Sequence, residues 1–325
     1  MSNDFNLDFE QPTKQPQKEI NLDDYIVVAN EVFPDLLPIL LQGDVPLLSA
    51  GEISLITGDA KTKKTYLVSW FIAMLLGKTE VGFSCNLQGN ILLIDTEQGR
   101  KRTNNVVRRI HRLLNWNFEV PIQNLTAFSI RELSANERFA VLEQAIEKYN
   151  PSIVFLDGLA DLIQNTNDLE ECSRKISLLM KLAEQHNTHV CSAVHTNPSS
   201  EKTRGHVGSE LQRKCETVML LKKDGNTSTV SPQYCRNKEF ERFSFFINSE
   251  GFPETCELPP LGIQAQILFA SVFGNLSEIN YSDLCQMIME KEGILKRSAE
   301  RKIRQAVEKN ILKKNAESGY SLNKI

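Results

Sequence analysis

Residues 53–65 read Ile53-Ser54-Leu55-Ile56-Thr57-Gly58-Asp59-Ala60-Lys61-Thr62-Lys63-Lys64-Thr65. A short apolar run stops at a glycine, crosses a polar stretch and reaches Lys-Thr just ahead of a second apolar segment, 67–76. That order predicts a buried strand, a loop and a helix over about 64–76, the setting in which a G-x-x-x-x-G-K-[ST] phosphate loop works. Backbone N–H groups from Gly58, Asp59, Ala60, Lys61, Thr62 and Lys63, at the start of a helix, would wrap an anionic phosphate chain. Lys64 would neutralise the β and γ groups as a point charge and Thr65 would offer a hydroxyl to Mg²⁺, so ATP and Mg²⁺ are the expected cofactors. The loop departs from the pattern at one position. Lys63 stands where the second glycine belongs, on a tight backbone that glycine adopts most easily, and is expected to slow or weaken nucleotide binding.

Working outward, strands and helices alternate. Strands are expected at 90–95, 152–156 and 189–194, and helices near 103–114, after the capping-box spacing Ser134-Ala135-Asn136-Glu137, and over 169–185. The near-continuous apolar strands call for a parallel sheet covered on both faces. Further strands at 217–221, 227–230 and 243–247, with Asp224-Gly225-Asn226 as a hairpin turn, add an antiparallel edge. Three polar positions fall at strand tips. Asp157 follows Ile153-Val154-Phe155-Leu156 and suits a Walker B carboxylate for Mg²⁺. Glu97, in Asp95-Thr96-Glu97, could orient and deprotonate an attacking water, with Asp95 competing for the role. His195 closes the third strand and could sense a γ-phosphate, whereas His111, His186, His189 and His206 are assigned no role.

Composition sets the outer bounds. With 37 Lys+Arg against 41 Asp+Glu, the net charge of −4 excludes a polycationic coat and leaves room for a local basic groove. At 41% hydrophobic and 24% charged, 325 residues fit one large or two modest domains. No apolar run approaches the roughly 20 residues of a membrane span and no cleavable leader is seen, so a soluble cytoplasmic protein without membrane contact is expected. Seven scattered cysteines without a C-x-x-C pair suggest neither a disulfide framework nor a zinc site. Residues 1–45 read as a flexible arm, 46–250 as the α/β domain, 251–262 as a linker and 263–325 as a small winged-helix-like domain.

The order of these parts resembles the RecA-like ATPases, and most closely the RepA branch of hexameric plasmid replicative helicases and their mobile-element relatives. The resemblance runs from about residue 51 to 247 and rests on Lys64-Thr65, Glu97, Asp157, His195, the flexible stretch 196–208, and Gly208-Ser209-Glu210-Leu211-Gln212-Arg213 before Glu216-Thr217-Val218. It implies a RecA-like core with a mainly parallel twisted sheet, and a homo-oligomer, a hexamer by analogy. It also implies an arginine acting on the neighbouring subunit's γ-phosphate. In Tyr234-Cys235-Arg236-Asn237-Lys238 that finger is Arg236, with Lys238 its companion. Single-stranded DNA is the implied partner, to be met by Lys202, Arg204, Arg213 and Lys214 on a Ser/Gly-rich backbone.

Residues 276–325 carry 10 Lys+Arg and 7 Asp+Glu, +3 against −7 for the remainder. The third helix there, with Arg297, Arg301 and Lys302, suits duplex DNA as a winged-helix recognition helix does. The expected activity is therefore that of an ATP-hydrolysing DNA helicase or remodelling motor in replication or mobilisation of a plasmid or mobile element. The alternative is a nucleotide-switched DNA-binding or initiation factor with slow turnover and no translocation.

Overall fold

The computed structural model describes residues 21–31, 36–197, 203, 205–258, 263–308, 311–315 and 319–323. The chain divides into two units, residues 1–36 and 37–325. In the first, Leu22–Tyr25 forms one 3-10 turn, with the Asn21 side chain accepting from the Asp23 N–H.

The second unit begins with strands β1 (Pro38–Gln42) and β2 (Val45–Ser49), followed by β3 (Ile53–Gly58) and helix α1 (Lys64–Leu75). There follow β4 (Phe83–Cys85), β5 (Ile91–Asp95), α2 (Arg100–Leu113), β6 (Leu125–Ser129), α3 (Ala135–Tyr149) and β7 (Ile153–Asp157). Next come α4 (Leu169–Gln185), β8 (His189–His195), α5 (Gly205–Lys214), β9 (Thr217–Asp224), β10 (Thr227–Cys235), β11 (Phe243–Ile247) and β12 (Pro253–Cys256).

Nine of these strands form one sheet in the order β12-β11-β10-β9-β3-β8-β7-β5-β6. From β9 to β6 every pairing is parallel, and β10, β11 and β12 add an antiparallel edge. Successive strand residues point to opposite faces, which explains the apolar runs: Ile91, Leu93, Ile153 and Phe155 enter one core, Leu92, Ile94, Val154 and Leu156 the other. The first core takes α1 and α2, the second α3, α4 and α5. Helix α1 is apolar nearly all round because it is covered twice. The sheet lies on one side, while Ile39, Leu40, Leu47 and Leu48 from the small sheet β2-β1-β4 join the same core. Trp70 of α1 is fully buried against Phe83, Phe243 and Phe245, rings 5.7–6.2 Å away.

Two boundaries differ from expectation. The span 1–45 expected as an arm includes β1, whose Ile39 and Leu40 roof α1. The linker expected over 251–262 contains β12, which pairs with β11 and begins with Pro253, a residue tolerated at an edge strand.

After β12 the chain builds helix α6 (Ile263–Phe273), β13 (Ile279–Asn280), α7 (Tyr281–Glu292), α8 (Lys296–Glu308), β14 (Leu312–Lys314) and β15 (Gly319–Leu322). Its strands pair antiparallel in the order β13-β15-β14. Phe269, Phe273, Leu284, Ile288, Ile303 and Tyr320 give this winged-helix-like module its own core. All seven cysteines are free thiols. Among the described residues no helix is long and apolar enough to cross a membrane.

Candidate nucleotide-hydrolysis site

The parallel strands bring their carboxyl ends to one edge, and the polar tips gather there. Gly58 pairs with His195 across β3 and β8, and Asp95 with Asp157 across β5 and β7. Gly58 is required by contact: a Cβ there would collide with the Leu221 carbonyl oxygen on β9.

The loop then turns through two left-handed residues, Lys61 (φ 66°) and Lys63 (φ 72°). At Lys63, where a phosphate loop has glycine, a side chain in this conformation costs on the order of 1–2 kcal/mol. That strain is partly offset, because Lys63 Nζ donates to the Asn226 carbonyl in the β9–β10 turn at 3.2 Å. Beside it Ser228 Oγ donates to the Thr62 carbonyl at 3.1 Å.

Lys64 is buried, its ammonium held by the Gly58 and Asp59 carbonyls at 2.9 and 3.1 Å and by His195 Nδ1 at 3.0 Å. Burial lowers its pKa, against the opposing pull of Asp157, Glu97 and Asp59. Because an ammonium only donates, His195 Nδ1 is the acceptor and the ring proton sits on Nε2. Nε2–H faces Glu97 Oε1 at 3.7 Å, too long for a hydrogen bond. His195 beside it holds the Glu97 carboxyl below its ordinary value, and burial works the other way. Lys64, His195 and Glu97 thus form one line.

Asp95 does not compete for the same position. Its Oδ1 accepts from the N–H groups of Glu97 and Gln98, at 3.2 and 2.8 Å, and its Oδ2 from Thr103 Oγ1 at 2.9 Å. Both oxygens therefore hold the turn into α2, leaving Glu97 to face the loop. Thr65 Oγ1 donates to Asp157 Oδ2 at 2.7 Å. Burial pushes the Asp157 carboxyl up to about 6, with Asp95 and Glu97 adding to the rise and the Thr65 hydrogen bond and Lys64 opposing it. A hydroxyl and a carboxylate side by side are hard oxygen donors that fit Mg²⁺, which takes few protein ligands and completes its shell with water and phosphate. Among the described residues no cluster of three or more His, Cys, Asp or Glu is placed to hold a metal.

Three supporting residues escaped the sequence reading. Thr96 Oγ1 lies 2.8–3.0 Å from the Asp157 and Gly158 carbonyls and Asp161 Oδ2, tying β5 to β7 behind Glu97. A Cβ on Gly158 (φ 108°) would strike Thr96 Oγ1 and come within 2.7 Å of Glu97 Cγ, so glycine is what lets Glu97 sit there. Thr196, next after His195, donates to Asp59 Oδ1 and fastens β8 to the loop. Only a D-G pair after an apolar strand hinted at any of this. Glu97 and His195 form a wall between two cavities. One, of about 580 Å³, is lined by the phosphate loop, Arg102, Arg109 and Asp157. The other, of about 470 Å³, is lined by Arg138, Asp161, Gln164 and Thr166.

The remaining expected residues lie apart. Cys235 pairs with Thr217, and Thr217 with Ser54 near the start of β3, so Arg236 sits at the amino edge of the sheet. There it donates to the Lys214 carbonyl at 2.6 Å and pairs with Glu52 at 3.4 Å. Lys238 pairs with Asp44. Lys202 and Arg204 fall outside the described residues. Arg213 and Lys214 lie not on a loop but in the last turn of α5, because Gly205 already starts a helix that buries Val207 and Leu211 against the sheet. They stand beside Arg236, an edge away from His195, and Arg213 is paired with Glu210. In α8, Lys302 pairs with Glu292 at 2.7 Å, and Arg297 and Arg301 are exposed.

A search of curated proteins finds no match to this sequence. Among solved structures, the crystal structure of the RadB recombinase aligns with a TM-score of 0.47 at 16% identity, covering 65% of this chain and 93% of that one. Residues 18–201, more than half of the chain, match the family described as the AAA domain. The phosphate loop, its paired hydroxyl and carboxylate, and the parallel sheet that presents them fall within or beside that span, and the chain belongs to the AAA domain family as a P-loop ATPase.

Proposed function

We propose that this chain is the subunit of an ATP-driven ring, a hexamer like the RepA-type replicative helicases its motifs resemble. The ring moves on or remodels single-stranded DNA during replication or mobilisation of a plasmid or other mobile element. Lys64 binds the phosphates, Thr65 and Asp157 hold Mg²⁺, which supplies charge neutralisation at the phosphates when bound, and Glu97 takes the proton of the attacking water. His195, hydrogen-bonded to Lys64 and facing Glu97, registers the γ-phosphate. The observation that carries the shared-site reading is the separation of Arg236 from its own phosphate loop by the full length of β10. A cation there reaches a γ-phosphate only in another subunit, as an arginine finger supplied in trans does.

DNA contact is supported by Arg213 and Lys214 and by the net +3 of residues 276–325, whose helix α8 suits a duplex. A second reading, a slow nucleotide switch that controls duplex binding by the terminal module, is favoured by the left-handed Lys63. Steady-state ATP hydrolysis, measured alone, with single strands and with duplex, separates the two. A motor gives stimulation by single strands that is lost in both Lys64→Ala and Arg236→Ala. Slow turnover indifferent to single strands and to Arg236→Ala rejects the ring motor, and an unchanged rate in Lys64→Ala rejects the site itself.

A further inference from the structure

The residue that breaks the phosphate-loop pattern is also the one that leaves the loop. Lys63 sends its side chain to the Asn226 carbonyl at the tip of the β9–β10 hairpin. Ser228 Oγ returns the contact to the Thr62 carbonyl, so two hydrogen bonds clamp the hairpin to residues 62–63. A glycine at 63 would relieve the left-handed strain and could not make the first of them. The second strand of that hairpin is β10, paired to β9 from Thr227↔Asp224 to Cys235↔Thr217 with one irregularity between Pro232 and Tyr234. Nine residues of extended chain span about 30 Å, and the next residue is Arg236.

We propose that Lys63 is a positioning residue that couples nucleotide occupancy of a subunit's own phosphate loop to the placement of Arg236 at the far end of β10. The inference rests on the reading of Arg236 as a group that serves the neighbouring site. A phosphate entering the loop draws on backbone N–H groups at residue 63 and its neighbours, and any shift of that residue moves Asn226 through the ammonium. Burial, with Lys223 nearby, lowers the Lys63 pKa, which fits an ammonium partly withdrawn from water onto the hairpin. From that tip the chain of β10 runs straight on to Arg236, held by β11 over Thr227–Val230 and by β9 on both sides of one irregularity between Pro232 and Tyr234, and this is the path by which a displacement reaches Arg236. The strained lysine thus trades some ease of phosphate binding for a link between sites.

The test uses the full-length chain, a non-hydrolysable ATP analogue with Mg²⁺, and three variants: Lys63→Gly, Lys63→Met and Lys63→Arg. Direct binding is measured first, then hydrogen exchange over residues 222–237 with and without the analogue. The expected result is that the analogue changes exchange across this strand by about tenfold in the wild type and in Lys63→Arg, the size of an ordinary coupling between two sites. In Lys63→Gly and Lys63→Met, compared at saturating analogue, that change is lost. ATP dependence of hydrolysis, cooperative in the wild type, becomes hyperbolic in the same two variants. Wild-type exchange changes in Lys63→Gly and Lys63→Met at saturating analogue overturn the inference alone, and so does hyperbolic hydrolysis by the wild type. Failure of the wild type to bind the analogue overturns the proposed function with it.

Discussion

The two edges of the central sheet are built from the same strands and hold opposite kinds of chemistry. At the carboxyl edge, Lys64, Glu97, Asp157 and His195 arrive on short turns where helix N-termini and backbone N–H groups already favour anions. At the amino edge the polar groups are satisfied among themselves. Glu216 accepts from the Ser49 N–H and hydroxyl, while His189, fully buried, contacts the Ser49 carbonyl through Nδ1 and Ser54 Oγ through Nε2. One edge keeps charge available and the other locks it away, with Arg236 as the exposed exception. In the proposed ring, the Arg236 edge of one subunit meets the phosphate-loop edge of the next.

The largest expected effect comes from removing that exception. Arg236→Ala should lower ATP turnover by about 10⁴-fold with nucleotide affinity retained, and mixing it with Lys64→Ala subunits should restore part of the rate. A mixture no faster than its components breaks the complementarity. On the carboxyl edge, Glu97→Gln should cost about 10³-fold in turnover at unchanged affinity, measured as phosphate release. A similar loss in affinity would move Glu97 from water activation to phosphate binding.

The edges also answer acid in opposite senses. His189 is pushed down to about 4 by burial. Its neutral form is the folded form, so stability is full above the ordinary histidine range and is lost as pH falls through it, on the order of 3 kcal/mol between about 6.5 and 4. Urea midpoints of His189→Gln should lack that slope. Asp157, held up at about 6, resists ionisation in the fold. It therefore costs the metal-free protein stability at pH 7, and the cost fades as pH drops through 6 toward 4. Asp157→Asn should gain on the order of 2–3 kcal/mol at pH 7 and nothing at pH 4. Parallel pH curves for the wild type and both variants would contradict the contrast.

Much of the carboxyl edge was legible in the sequence, because apolar runs that end in Gly, Asp or His announce both strand and tip. The helix at 169–185 and the strand at 243–247 fall where periodicity puts them. Asp95 and Glu97 were not separable, since both follow one strand and only the hydrogen bonds to Gln98 and Thr103 show which acid is spent. The roof strands β1 and β2 were missed because Pro38 and Pro46 interrupt their patterns and their partner helix lies later in the chain. Likewise β6, Leu-Thr-Ala-Phe-Ser, is half polar because it is the last strand of its sheet and none of its residues is fully buried. The clasp of Thr96, Gly158 and Asp161 joins residues some sixty positions apart, a separation that no local pattern spans.

The aromatic cluster around Trp70 has a spectroscopic consequence. The chain has two tryptophans, Trp70, sealed on the buried face of the phosphate-loop helix α1, and Trp116, half in solvent after α2. None lies beyond residue 256, so the C-terminal module is dark in tryptophan emission and shows only the weaker signal of Tyr281 and Tyr320. A melt followed by fluorescence reports the ATPase core alone, while circular dichroism counts helices in both. Superimposed curves would mean one cooperative transition. A helical signal that falls while Trp70 stays blue-shifted would mean that the module opens on its own, leaving an intact nucleotide-binding core behind.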